Sequence, residues 1–214
     1  MPENIDLKKI EETILKMGHQ HGLFDMSIGF IVFGMGLGPI FRESLPSPYR
    51  YFLWPLILVI IACLSIFIIL KYVIQPRTGI FKPGPSLKST GKKLLIVTTI
   101  QFIAHIIFII LVVNGNLIGI HLEGILFILI IGLFFMPLFV ILAFLLKYPR
   151  LYFIGMLIWL AIFINESIYD SLDYRFRWPI SYGIPGAIIF FMGLIIFIRF
   201  LRRYPLPKKE VAKI

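Results

Sequence analysis

YFLWPLILVIIACLSIFIIL, Tyr51 through Leu70, is followed at once by Lys71 and Tyr72. It carries no charge, and its apolar residues cover every side of a helix instead of one stripe, as a buried or membrane-crossing helix does. About 20 such residues, at roughly 1.5 Å each, cross a hydrocarbon core about 30 Å thick. The same reading extends outward to Gly22–Phe41, Leu94–Val113, Gly124–Leu146, Leu151–Ile168 and Pro179–Ile198. The fourth run could start at Leu117, but that would overshoot the bilayer, so Leu117–Glu123 is read as loop. The fifth reaches Glu166 before a full crossing is complete.

With 59% hydrophobic residues and a mean hydropathy of +0.94, the chain has too little polar surface for a soluble globule. Six spans occupy about 120 residues, which leaves no room for a separate soluble domain. The expected fold is all-α: a six-transmembrane-helix bundle over residues 22–201, after a short amphipathic segment 1–21 and before a basic tail 202–214. Cys63 is the single cysteine and lies in an apolar run, so no intramolecular disulfide forms. Asp6, Glu11 and Glu12 among the first lysines are wrong for a cleavable signal peptide, so the first span is expected to remain as its own insertion signal.

Charge orients the bundle. Of the 21 Lys and Arg, 17 fall in the N-terminal segment, the second connection, the fourth connection and the C-terminus, as three, six, two and six. The other connections hold only Arg42, Arg50, Arg175 and Arg177. Basic residues resist translocation, so the heavy side is expected in the cytoplasm with both termini, in the cell membrane. An odd number of spans would scramble that segregation. The formal charge of +10 does not point to nucleic acid, because the cations are dispersed at helix ends and not gathered on one reading surface.

Residues Pro2–Gly18 alternate Ile5, Ile10, Ile14 and Leu15 with Glu3, Lys8, Glu11 and Glu12. That is a helix lying on the inner surface or a solvated lead-in to the first span. Gln75–Lys93, with three prolines and three glycines, is expected to be loop. Its GPSLKSTGKK stretch (84–93) is not a phosphate loop: the glycines are misspaced and no strand precedes them. Three even-numbered spans end in similar words, Lys71-Tyr72, Lys147-Tyr148-Pro149-Arg150 and Arg203-Tyr204-Pro205. They fit either a repeated hairpin or the ordinary chemistry of a helix leaving the inner face. Gly34 and Gly38 form a G-x-x-x-G that packs helices within the bundle or between two copies. Pro55, Pro137 and Pro185 should kink their spans.

Three groups could carry chemistry. Thr98, Gln101 and His105 share one face of the third span, and His105 lies about 16 Å deep. An ionisable residue there marks a pathway, or else the three are polar glue against a neighbouring helix. On the outer side, Glu166, Asp170 and Asp173 would align if the fifth helix continued, with Glu43, His121 and Glu123 on the same side. They make a cation-attracting mouth or a solvated helix end paired with Arg175 and Arg177. His21 and Asp25, with His19 nearby, could ligate a metal, or Asp25 could complement the positive end of the first helix. No metal or cofactor is expected on this basis.

Gln75-Pro76-Arg77-Thr78-Gly79-Ile80-Phe81-Lys82, Gly22-Leu23-Phe24-Asp25 and Phe200-Leu201-Arg202-Arg203-Tyr204-Pro205 resemble segments of uncharacterised prokaryotic multi-pass membrane proteins. Those carry a Y-P-R-T-G-Y-V-like stretch after the second span. Gln75 and Ile80 replace its two tyrosines. The resemblance implies topology and no activity. No G-x-S-x-G, H-E-x-x-H or paired acid at depth suggests an enzyme. The expectation is a non-enzymatic membrane component whose basic face, Arg77, Lys82, Lys88, Lys92 and Lys93, meets anionic lipid headgroups or a membrane partner. A small transporter or channel using the third-span face is the alternative, and a membrane-embedded metal enzyme a remoter one.

Overall fold

The computed structural model of the chain describes residues 21–42, 50–78, 85–113 and 125–206. Among these, every regular element is helical. The helices are α1 (Leu23–Gly36), α2 (Gly38–Arg42), α3 (Arg50–Ile69), α4 (Gln75–Thr78), α5 (Pro85–Val113), α6 (Ile125–Leu145), α7 (Arg150–Ser167), α8 (Tyr174–Trp178) and α9 (Ile184–Arg203). Three helical stretches among the described residues are long and apolar enough to cross a membrane: Leu53–Thr78, Arg150–Ser167 and Tyr174–Arg203. Leu23–Gly36 and Met136–Leu145 are shorter apolar helices. The expected amphipathic helix at Pro2–Gly18 lies outside the described residues.

Proline chemistry sets the irregular points. α1 stops at Gly36 and restarts as α2, because Pro39 has no N–H to donate to Met35. Leu70–Ile74 is a wide i→i+5 turn, with the Gln75 N–H donating to the Leu70 carbonyl, directly before Pro76. Pro179–Gly183 forms the same kind of turn before Pro185, which stands in the first turn of α9. A widened turn absorbs the bond that a proline cannot make, and Pro185 stands just past one within the helical stretch Tyr174–Arg203.

The expected loop Gln75–Lys93 is largely helical. Gln75–Thr78 continues the helical stretch that begins at Leu53, and Pro85–Lys93 forms the first turns of α5. Residues 79–84 lie outside the described part. Pro85 suits the first position of a helix, where its missing N–H has no partner to lose, and Gly91 inside α5 costs only about 1 kcal/mol. Proline count alone was a poor guide, because position decides whether a proline breaks a helix.

The helices pack as two units. In one, formed by α1–α4 and α9, the first and last helices run antiparallel with glycines at their crossing. A methyl placed on Gly29 would meet the main chain of Phe190, and one on Gly186 the main chain of Phe33. α3 runs antiparallel to α1: Gly34 faces the Leu58 side chain, and Trp54 Nε1 donates to the Gly34 carbonyl at 2.9 Å. Phe41 stacks on Trp54 at 5.0 Å. Gly34 of the expected G-x-x-x-G therefore packs within the chain. At one end of this unit, Leu23, Ile74 and Phe200 form a buried cluster flanked by Leu70, Phe197 and Tyr204.

The other unit, α5–α8, is organised by the α6–α7 hairpin. Trp159 lies over Gly132 and Phe139 over Gly155, and Leu151 and Ile154 are fully buried. The turn is made by Lys147 at φ 51°, with Tyr148 N–H donating to the Ala143 carbonyl at 2.9 Å. The three similar exit sequences have three different backbones. Lys71-Tyr72 lies in a widened turn, Lys147 is left-handed, and Tyr204 ends α9 at φ −119°. The similar words therefore do not fix one local backbone.

Candidate functional site

Of the face formed by Thr98, Gln101 and His105, the structure describes two side chains. Thr98 is exposed, and its hydroxyl donates to Leu94 and Leu95 carbonyls of its own helix at 2.8 and 3.1 Å. A hydroxyl bonded back to its own helix has its proton committed locally. Gln101 is half-buried. His105 belongs to α5, but its side chain lies outside the described part, as does Glu123.

The outer carboxylates do not form one helical face. α7 ends at Ser167, the Ile168 N–H closing on the Ile164 carbonyl, and the chain turns. Glu166 is half-buried and Asp170 exposed. Asp173 caps α8, its carboxylate accepting from Arg175 N–H at 2.9 Å. Capping drew this segment away from continued helix, because a side-chain acceptor satisfies an N–H that a new helix leaves bare. Arg177 lies over the Tyr169 ring at 4.1 Å and donates from Nη1 to the Tyr169 carbonyl at 3.2 Å. The cations expected as salt partners thus also engage main chain and ring.

Among the basic candidates, Lys92 and Lys93 are exposed on α5. Lys88 is in the same helix with its side chain outside the described part, and Lys82 lies outside it altogether. Arg77 is half-buried at the end of α4. Its Nη1 donates to the Val73 carbonyl at 2.6 Å, and its Nε has no hydrogen-bond partner.

His21 and Asp25 are both buried where α1 meets α9, Asp25 completely. His21 Nδ1 accepts from Leu23 N–H at 3.2 Å, and its ring meets Phe200 edge-on at 6.0 Å. Gly193 of α9 makes room for the Asp25 side chain. Among the described residues no three His, Cys, Asp or Glu side chains gather into a metal-sized group. Asp25 sits in the first turn of α1, where the helix dipole favours an acid.

A cleft of about 180 Å³ was not foreseen. It lies between α1 and α3, walled by Met26, Phe30, Ile61, Ser65 and Ile69, with Phe190 of α9 behind. The Ser27 hydroxyl, also on its wall, donates to the Leu23 carbonyl at 2.9 Å. Ser65, alone among the apolar residues 55–70, was the one available signal in the sequence. The seven-residue spacing of Gly22 with Gly29 and of Gly186 with Gly193 was the signal for the crossing. At the cluster end of the same unit Lys71, Arg199, Arg202 and Arg203 are exposed. Asp25, buried, is the one acid among the described residues of that unit. The arrangement offers an apolar slot and, at the cluster end of the unit, exposed cations, with no assembled catalytic set among the described residues. No protein-family model, no characterised protein and no solved structure matches the chain.

Proposed function

We propose that this is a six-span integral membrane protein of the cell membrane, with both termini cytoplasmic, whose basic inner end engages anionic lipid headgroups or an acidic membrane partner without catalysing a reaction. The observation that carries this reading is the gathering of Lys71, Arg77, Arg199, Arg202 and Arg203 around one end of the α1–α4 and α9 unit, beside the Leu23–Ile74–Phe200 cluster. Antiparallel packing of α3 and α9 on α1 draws these cations together, although they lie far apart in sequence. Each is worth about 1 kcal/mol against an anionic leaflet. Interfacial rings support the placement: Lys71 lies 5.5 Å from the Tyr72 ring and Arg203 5.9 Å from Tyr204, as belt residues do. The proposed family likeness to uncharacterised multi-pass proteins agrees with it in topology.

The α5 and α6 helices, 29 and 21 residues long, supply the third and fourth spans of this reading. The transport alternative draws less support, since the Thr98 hydroxyl is committed to its own helix. Reporter tags at both termini and in residues 43–49 and 114–124 test the topology. The termini should report the cytoplasm and the two internal sites the far side. Termini on opposite sides would end the six-span reading. For the lipid arm, replacing Lys71, Arg199, Arg202 and Arg203 by Gln should weaken retention of anionic lipid by the purified chain. Unchanged retention would end that arm.

A further inference from the structure

We propose that the cleft between α1 and α3 holds a segment of one acyl chain of an anionic phospholipid whose phosphate is taken by Arg77. The proposal rests on the membrane reading above and names a single bound lipid within it.

Size selects a chain over a whole ligand. About 180 Å³ is close to the roughly 150 Å³ of an engineered apolar cavity that binds benzene. It falls below the ~300–1,000 Å³ typical of pockets that enclose small molecules. The slot is open on the side of α3, where Ser65 is exposed and Ile61 is 44% exposed. Exposure on that side leaves the slot open to a ligand chain.

Register then ties the slot to a cation. Ile61, Ser65, Ile69, Val73 and Arg77 follow one another at four-residue steps along α3 and its continuation. In a regular helix that series drifts around the axis. The wide Leu70–Ile74 turn turns less per residue and takes back part of the drift. From Ile61 to Val73 the rise is about 18 Å, comparable to the roughly 15 Å of one leaflet's hydrocarbon. Arg77 lies one turn farther, at headgroup depth. Its guanidinium gives one N–H to Val73, while Nε has none of its hydrogen bonding met. The Arg77 side chain as a whole is half-buried, and guanidinium geometry suits phosphate. Lys71 and the α9 arginines favour a net negative headgroup over a zwitterionic one.

The test is native mass spectrometry of the full detergent-solubilised chain given phosphatidylglycerol or phosphatidylcholine. Wild type should retain one phosphatidylglycerol per chain in preference to phosphatidylcholine. Ser65→Trp, at an exposed position, should remove that lipid while the thermal melt is kept. Arg77→Gln should lower retention of both lipids about fivefold, the worth of one cation at an anionic surface, since both carry the phosphate it takes. Full retention by Ser65→Trp, or undiminished retention of both lipids by Arg77→Gln, overturns the site. A protein segment filling the slot would show as no retained lipid in wild type, which also overturns it. The two readings fail differently. If wild type prefers phosphatidylglycerol and neither variant lowers its retention, only this site falls. If phosphatidylglycerol and phosphatidylcholine are retained alike by every form, the anionic-lipid reading falls with it.

Discussion

The α1–α9 crossing and the α6–α7 hairpin are both antiparallel pairs cleared by glycine, yet glycine serves opposite purposes in them. At α1–α9, Gly29 and Gly186 each face the main chain of the other helix, so the two backbones touch. At α6–α7, Gly132 and Gly155 receive the side chains of Trp159 and Phe139, so small residues make holes for large knobs. The first mode leaves nothing to adjust, because main chain cannot swing aside. The second is forgiving, because a ring can change rotamer. In the proposed membrane setting, where no hydrophobic drive acts between helices, such close packing is what remains to hold them.

That contrast ranks the consequences of substitution. Gly29→Leu or Gly186→Leu should be worst, costing about 3 kcal/mol, the upper range of overpacking, read as loss of folded chain in a detergent melt. A tolerated Gly29→Leu would show that the backbones do not touch. Gly132→Ala should cost less, about 1–2 kcal/mol, and Trp159→Leu in the same chain should recover most of it. The comparison breaks if the pair is additive, since knob and hole must couple. Asp25→Asn, which keeps shape beside Gly193 but removes the charge from the first turn of α1, should cost about 1 kcal/mol by the same melt. Trp54→Phe deletes the bond to the Gly34 carbonyl and should cost least, about 0.6 kcal/mol, typical of an interhelical hydrogen bond in a membrane.

How far residues spoke for themselves varied along the chain. Helix placement was legible: Leu151–Ile168 was expected and Arg150–Ser167 forms, and Gly124–Leu146 became Ile125–Leu145. The errors came where a rule was applied without position. Prolines in Gln75–Lys93 were read as breakers, although Pro85 starts a helix and Pro76 follows a turn widened to admit it. The carboxylates Glu166, Asp170 and Asp173 were aligned by counting, and Asp173 became a cap instead. The candidate site was less legible still. Thr98 looked outward to a partner by spacing but bonds to its own helix. Arg77 had been singled out for headgroups, yet nothing local tied it to Ser65 and Ile61.

By itself the sequence determined where the long apolar helices run, because a twenty-residue apolar run acts through local chemistry. Only the tertiary structure decided that Gly29 lies on the Phe190 main chain, that Asp25 is fully buried, and that a cleft separates α1 from α3. Those depend on which face of each helix meets which other helix. With apolar residues on every side of Tyr51–Leu70, no stripe in the sequence names the inward face.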